Sequence, residues 1–105
     1  MHRDHVPFVP PSFHLLASSP TTYNQGMVYF SSGANPSTPL PPIQILTTQG
    51  HPEFNEQIIS AIIEQRLASG HISREAAAEA EIRRFWKTHG VDVVGKAIRE
   101  ILLQK

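Results

Sequence analysis

His51 and Glu53 are the residues of this chain whose types and spacing are best suited to chemistry. Side chains two positions apart on an extended backbone project to the same side, so this imidazole and carboxylate can face each other. Pro52 fixes its own backbone angle and disfavours a helical conformation at His51. A carboxylate that accepts the imidazole N–H fixes its tautomer and stabilises the imidazolium. Such a pair could serve as a general base with its orienting carboxylate, but from these residues alone a turn that precedes a helix is the favoured interpretation.

The length and composition of the chain limit what it can be. Its 105 residues allow one small domain or part of one, and nine basic residues balance nine acidic ones. We therefore expect no nucleic-acid partner. The absence of cysteine excludes a disulfide framework, a thiolate metal site and a thiol nucleophile within this chain. With no secretory signal and no apolar run of membrane-spanning length, a cytoplasmic protein without membrane contact is expected.

Charged residues and prolines are unevenly distributed along the chain. Glu53 is the first charged residue after Asp4, and all nine prolines precede it. This difference predicts strands and loops in residues 1–54 and helices in residues 55–105, within one unit that spans residues 1–105.

Three short segments of the first half have the composition of strands. They are residues 13–17, 27–30 and 43–48, each bounded by proline or glycine. The Pro-rich segment 31–42 cannot support a packed core, so we interpret it as a surface loop that closes a hairpin.

Three helices are predicted in the second half. The first begins at Asn55 as N-cap and ends at Gly70, and the second runs from Ser73 to Gly90. The third is predicted to be capped by Asp92. Their expected buried stripes are Ile58, Ile59, Ile62, Ile63 and Leu67; Ala78, Ile82, Phe85 and Trp86; and Val94, Ala97, Ile98, Ile101 and Leu102.

The other histidines have structural interpretations. His2 and His5 have the spacing of a metal-binding pair, but no further ligands follow at matching spacing, so we expect no metal and no cofactor. His14 is expected to be partly buried in a strand with a hydrogen-bond partner. His71 and His89 are expected at helix ends where a positive charge is favourable.

Phe85 and Trp86 could stack on nucleic-acid bases, but packing is the favoured interpretation. The surrounding charges balance, being Arg83, Arg84 and Lys87 against Glu79 and Glu81.

Residues 49–54, Gln-Gly-His-Pro-Glu-Phe, resemble the His-Pro-Glu signature that closes the active site of class I glutamine amidotransferases. Flanking segments resemble the family in the same order. Residues 1–6 are similar to its His-x-Asp loop, residues 15–20 to the next strand and turn, and residues 25–27 to the start of a following strand. The tail, including residues 92–95, resembles the stand-alone branch that includes plant γ-glutamyl peptidases. The resemblance covers nearly the whole chain, as the C-terminal half of such a domain.

The resemblance implies an α/β fold, a partial flavodoxin-like sheet followed by three C-terminal helices. It implies a Cys-His-Glu triad that cleaves a γ-glutamyl amide, with His51 as general base and Glu53 as its orienting carboxylate. The family's thiol occupies a Gly-x-Cys-x-Gly elbow on a strand that would precede Met1, so this chain is expected to be inactive alone.

Two hypotheses follow from the missing thiol. In the first, the chain is a truncated copy or an incomplete gene model of a glutamine-hydrolysing or γ-glutamyl-peptide-hydrolysing enzyme; the position of Met1 just before the His-x-Asp loop favours an incorrect start site. Alternatively, it is a non-catalytic remnant that binds a complementing protein chain or regulates a relative. An open sheet edge and apolar helix faces would then make the isolated chain prone to aggregation.

Overall fold

In the computed structural model of the protein, the described residues form three strands followed by three α-helices. The structure describes residues 2–37 and 39–104. The elements are β1 (His14–Ala17), β2 (Gly26–Phe30), β3 (Ile43–Thr48), α1 (Glu56–Ala68), α2 (Arg74–Arg83) and α3 (Gly90–Leu103). The predicted α/β class is therefore confirmed. The remaining positions, Met1, Thr38 and Lys105, lie outside the described residues. The start-site prediction for Met1 is therefore not described, nor is the part of the predicted loop 31–42 at Thr38 or the predicted end of the helical region at Lys105.

The three strands form one antiparallel sheet in the order β1-β2-β3. Pairing of β2 with β3 sets Met27 opposite Thr47 and Tyr29 opposite Ile45, so segment 31–42 does connect a hairpin. The register also sets Gly26 opposite Thr48, so β3 ends beside the beginning of β2. The residues that follow Thr48 therefore start at one end of the sheet.

The described core is small and centred on β2. Met27, Val28 and Phe30 are buried there because β2 is the central strand, with β1 and β3 on either side of it. The helical contribution comes from Ile63, which is only 2% exposed, and from Ala77. A chain of this length buries a limited fraction of its surface, and the extended shape of this one limits burial further.

Side-chain caps begin α1 and α2 as predicted. Asn55 Oδ1 accepts a hydrogen bond of 3.0 Å from the Ile58 amide, and Ser73 Oγ accepts one of 3.1 Å from the Ala76 amide. Each cap satisfies an N–H that has no partner within its helix. Gly70 follows α1 with φ of +74°, a conformation that favours glycine and ends the helix there.

The predicted boundary between α2 and α3 is wrong. α2 ends at Arg83 rather than at Gly90, and Gly90 is instead the first residue of α3. Asp92 consequently lies within the first turn of α3 and is not its cap. Residues 84–89 include aromatic and β-branched side chains of low helix propensity, which favours a break between the two helices.

The predicted buried stripes are only partly correct. In α1, Ile63 is buried but Ile58 and Leu67 are exposed. The α2 prediction is wrong, because Ile82 is 70% exposed, Phe85 and Trp86 are also exposed, and the buried residue is Ala77. In α3, Val94, Ala97 and Ile101 are half-buried, while Ile98 and Leu102 are exposed. The physical reason is coverage, since α2 packs chiefly against α1, which covers only one of its sides.

The chain is more extended than a compact protein of its size. Its radius of gyration is 16.2 Å, against about 13 Å for a compact domain of this length. Its accessible surface is 8112 Å², whereas a compact monomer of 11.7 kDa exposes roughly 5,900 Å². This chain therefore presents surface that a self-contained domain of its mass would bury.

Candidate functional site

The side chains of His51 and Glu53 face each other just after β3 ends. His51 Nδ1 lies 2.9 Å from Glu53 Oε1, with the two side chains 61% and 59% exposed. A carboxylate can only accept, so the geometry assigns the proton to Nδ1. In the neutral imidazole this leaves Nε2 as the unprotonated nitrogen, the one available to take a proton from another group.

The turn that follows Thr48 holds this pair in place. The Phe54 amide donates a 3.1 Å hydrogen bond to the His51 carbonyl, which closes the turn around Pro52. The Phe54 ring stacks on the imidazole with centroids 4.2 Å apart and planes 4° from parallel. Asn55 then caps α1, so backbone, ring stacking and helix start together restrict the orientation of His51.

The first residue of α3 packs directly against the same turn. A Cβ added at Gly90 would lie 2.2 Å from the Pro52 carbonyl oxygen, closer than any side chain permits. Only a glycine allows α3 to begin at this distance from Pro52. The turn that carries His51 and Glu53 is thus bounded by α1 in sequence and by α3 in space.

Glu53 is held in its charged form. A hydrogen bond from its own backbone amide is the largest cause that lowers the pKa of the Glu53 carboxyl, followed by the hydrogen bond with His51. Hydrogen bonds donated to a carboxylate favour the ionised state. Glu53 is therefore an acceptor for the His51 N–H at neutral pH, as an orienting carboxylate must be.

His51 also lies at the edge of a groove of about 710 Å³. One wall is the face of α1 that carries Ile59, Ile62 and Arg66, and the opposite wall is the end of α2 with the segment after it. Trp86 lines this second wall. A volume in the range of small-molecule binding sites opens beside the imidazole.

The N-terminal segment contributes His2 to the same groove. His2 Nδ1 lies 2.9 Å from the Asp4 carbonyl oxygen, and Nε2 lies 3.2 Å from Gln25 Oε1. His2 and His51 are therefore brought to one groove, whereas His5 is exposed and does not line it. Among residues 2–37 and 39–104, no group of three His, Cys, Asp or Glu side chains could hold a metal ion.

Two predictions for histidines outside the groove are wrong. His14 is half-buried in β1, but its Nε2 has no hydrogen-bond partner among the described residues. His89 is the N-cap residue of α3 because α2 ends early, so it lies at the positive end of a helix dipole, where a cation is unfavourable. His71 does follow the C-terminal end of α1, with Nδ1 2.7 Å from Ser69 Oγ.

Sequence reasoning missed the residues that surround the His51–Glu53 pair. Phe54 carried a usable signal, an aromatic residue next to the His-Pro-Glu segment. No signal in the sequence indicated that Gly90 approaches Pro52, because 38 positions of chain separate the two residues. Arg66 and Arg83 each lie in the last turn of a helix, α1 and α2 respectively, and nothing in the sequence indicated that they line the same groove.

Comparisons with known proteins do not identify a family for this chain. Searches of protein-family models, of curated proteins and of solved structures each find no match to the chain. Across the described residues, no helix is both long and apolar enough to cross a lipid bilayer. The fold and the His51–Glu53 pair are accordingly the observations on which a functional proposal rests.

Proposed function

We propose that this chain is the C-terminal part of a class I glutamine amidotransferase-like hydrolase that cleaves a γ-glutamyl amide. The observation that carries the proposal is the 2.9 Å contact between His51 Nδ1 and Glu53 Oε1 at the end of β3. An oriented imidazole of this kind is the base and orienter of a triad whose nucleophile comes from elsewhere.

In the proposed reaction, a cysteine thiol from outside this chain loses its proton to His51 Nε2. The thiolate attacks the γ-amide carbonyl carbon, and hydrogen-bond donors in the complete domain stabilise the tetrahedral oxyanion. The imidazolium returns its proton to the departing amine or ammonia as the C–N bond breaks, leaving a thioester. Water, deprotonated by His51, then releases glutamate and regenerates the thiol. Glu53 stabilises the imidazolium in both halves of the cycle.

The location and exposure of the pair support this proposal. The complete domain under this proposal has a mostly parallel sheet, which binds ligands beyond the carboxyl ends of its strands, and His51 lies three residues beyond the last residue of β3. More than half of each side chain surface is accessible, so a nucleophile-bearing segment can approach the imidazole. Under the proposal, β1, β2 and β3 form the antiparallel edge of a larger flavodoxin-like sheet that the missing half completes.

A separate observation favours a second candidate function, a non-catalytic module that binds a complementing chain. The accessible surface exceeds that of a compact monomer by a large margin, and the exposed apolar side chains include Ile82, Phe85 and Trp86. Both outer strands of the sheet also have an unpaired edge among the described residues. Exposed apolar side chains and open strand edges are suited to contact with a complementing protein chain, whether or not that chain is catalytic.

Hydrolysis of γ-glutamyl-p-nitroanilide tests the catalytic proposal. The chain would be produced in the longer reading frame that includes a Gly-x-Cys-x-Gly segment, or mixed with the separate Cys-bearing half of a class I relative. We expect His51→Ala to reduce kcat/KM by about 10³-fold or more, because triad members act as a unit. His71→Ala is the matched control, since His71 is also exposed and also bonds a side chain two positions away.

The same preparations distinguish the two candidates. Equal activity in wild type and His51→Ala would reject the catalytic assignment. A stable complex with the Cys-bearing half, but with no hydrolysis in either form, would favour the partner-binding module. Light scattering on the isolated chain adds an independent measurement, because a cooperatively melting monomer would argue against any need for a complementing chain.

A further inference from the structure

Positive charge is concentrated in the groove beside His51. Its lining includes three arginines, Arg66 from α1, Arg83 from α2 and Arg84 just after α2, while Glu56 is the one acidic residue among the described residues that line it. The overall chain has no net charge, so the imbalance is a local property of this groove.

Arg84 is already committed to the fold. Its Nη1 donates a 2.8 Å hydrogen bond to Ser60 Oγ, and its Nε lies 3.0 Å from Glu81 Oε2. The guanidinium also lies 4.5 Å from the centroid of the Phe85 ring. The hydrogen bond to Ser60 ties Arg84 to α1, so Arg84 supports the groove wall and is less available to a ligand than the other two arginines.

Arg66 and Arg83 are far less engaged. Arg83 approaches Glu79 only to 3.7 Å, and both side chains of that pair are more than half exposed. Such an exposed pair between residues four apart contributes little and exchanges readily with other anions. Within residues 2–37 and 39–104, the Arg66 side chain forms no ion pair and no hydrogen bond. Two guanidiniums therefore remain available to an anion in the groove.

Aromatic and aliphatic surface completes the lining. Phe54, Phe85 and Trp86 contribute rings, and Ile59 and Ile62 contribute aliphatic surface on α1. Phe85 and Trp86 remain exposed although their burial would be favourable. Apolar walls with a few placed charged groups are typical of small-molecule sites.

From this combination we propose that the groove binds a carboxylate-bearing small molecule with an apolar, ring-containing body. The carboxylate is held by the guanidiniums of Arg66 and Arg83, and the ring packs against Phe85 and Trp86. Guanidinium binds carboxylate through paired, charge-assisted hydrogen bonds, which set this class of ligand apart from neutral apolar ones. A nucleic-acid strand is disfavoured, because Glu79 and Glu81 lie beside Arg83 and Arg84 and offset their positive charge. The proposal extends beyond hydrolysis and needs no nucleophile.

The only tryptophan of the chain gives a direct reporter. Trp86 lines the groove, so its fluorescence can be titrated with 3-phenylpropionate, with neutral 3-phenylpropionamide and with propionate, which lacks the ring. We expect saturable quenching by 3-phenylpropionate, with Kd about tenfold or more below that of the amide. Propionate is expected to bind more weakly than 3-phenylpropionate because it leaves the aromatic wall uncovered.

A double variant tests the arginines, with a control of equal charge change. Arg66→Gln with Arg83→Gln should weaken 3-phenylpropionate binding by about tenfold or more. The control, Lys96→Gln with Arg99→Gln, removes two exposed positive charges from α3, outside the groove, and should change Kd by less than about twofold. Far-UV circular dichroism checks that both variants remain folded.

Several results would overturn the proposal. These are equal affinity for the acid and the amide in the unaltered chain, equal weakening by the two double variants, or no saturable change in Trp86 fluorescence. The comparison of acid with amide needs no substitution, so the proposal stays testable even if the arginine variants misfold.

Discussion

Gly90 approaches Pro52 so closely that a methyl group on Gly90 would lie 2.2 Å from the Pro52 carbonyl oxygen. This contact joins the start of α3 to the turn between His51 and Glu53. The other atoms that such a methyl group would meet are Pro52 backbone atoms as well, at 2.8 Å, so no side-chain rotation can relieve the clash. Helix α3 is therefore a positioning element for the candidate site.

Gly90→Ala should destabilise the chain and disturb the His51–Glu53 pair. Overpacking of this kind costs about 1–3 kcal/mol, here by displacing α3 or the turn. Urea unfolding measures the loss, and NMR shifts of the His51 ring report the local change. Gly95→Ala is the matched control, because it lies in the same helix with nothing within 4 Å of an added Cβ.

The Gly95→Ala control should raise the stability of the chain rather than lower it. Alanine is favoured over glycine inside a helix by about 0.5–1 kcal/mol, so Gly95→Ala is expected to stabilise α3. Equal effects of the two substitutions on stability and on the His51 resonances would show that the contact with Pro52 has no special role.

The ionisation of Glu53 gives a pH-dependent prediction. Because the folded state lowers the pKa of the Glu53 carboxyl, the associated stabilisation is present above the unfolded-state pKa and is lost as pH falls through the folded-state value. NMR titration of the Glu53 side-chain carboxyl carbon should therefore show a midpoint below that of an ordinary glutamate.

Substitution of His51 should reverse this shift only in part. The largest cause of the low pKa is the hydrogen bond from the Glu53 backbone amide, which His51→Ala leaves in place. The Glu53 midpoint in His51→Ala is thus expected between the wild-type and ordinary values. A full return to the ordinary value would show that the imidazole alone sets the ionisation, and no change would show that the pair is not bonded in solution.

The cap of α1 should matter to the site more than the equivalent cap of α2. Asn55→Ala and Ser73→Ala each remove one side-chain acceptor from a helix N-terminus, at a cost of about 1 kcal/mol. Only Asn55 adjoins Phe54, which stacks on His51. Asn55→Ala should therefore shift the His51 resonances while Ser73→Ala leaves them unchanged, at similar losses in urea midpoint.

Equal effects of the two substitutions on the His51 resonances would contradict this assignment. If Ser73→Ala perturbs His51 as strongly as Asn55→Ala does, the orientation of the ring depends on the whole helical pair rather than on the local helix start.

Local signals in the sequence predicted the features of this fold that depend on neighbouring residues. The strand at residues 43–48 is found with the same bounds, and Asn55, Ser73 and Gly70 occupy the predicted caps and stop, because each acts within one turn of backbone. The facing of His51 and Glu53 was also predicted, but for a different reason from the one observed, because the two residues lie in a turn around Pro52 rather than on an extended chain.

Features that depend on long-range packing were not predictable in this way. Glycine is a usual helix stop, yet Gly90 begins α3 because it must fit against Pro52, far away in the chain. The α2 stripe failed for a related reason, as Ile82 has the pattern of a core residue but is 70% exposed. Periodicity identifies an apolar face and cannot tell whether a neighbour covers it.

His14 leads to a prediction about stability alone. Its Nε2 is buried and has no hydrogen-bond partner among the described residues, while its ring lies 5.6 Å from the Phe30 ring. A buried polar atom without a partner carries a desolvation cost of about 1–3 kcal/mol that an apolar group of similar shape avoids. His14→Phe keeps an aromatic ring beside Phe30 and removes the polar atom.

We therefore expect His14→Phe to raise the urea midpoint, corresponding to about 1 kcal/mol of added stability once the larger ring is accommodated. His71→Phe is the control, because His71 is exposed and its Nδ1 already lies 2.7 Å from Ser69 Oγ. That change should give no gain. A lower midpoint for His14→Phe would mean that water or a partner satisfies the Nε2 atom in solution, and that β1 is less closed than its packing against Phe30 indicates.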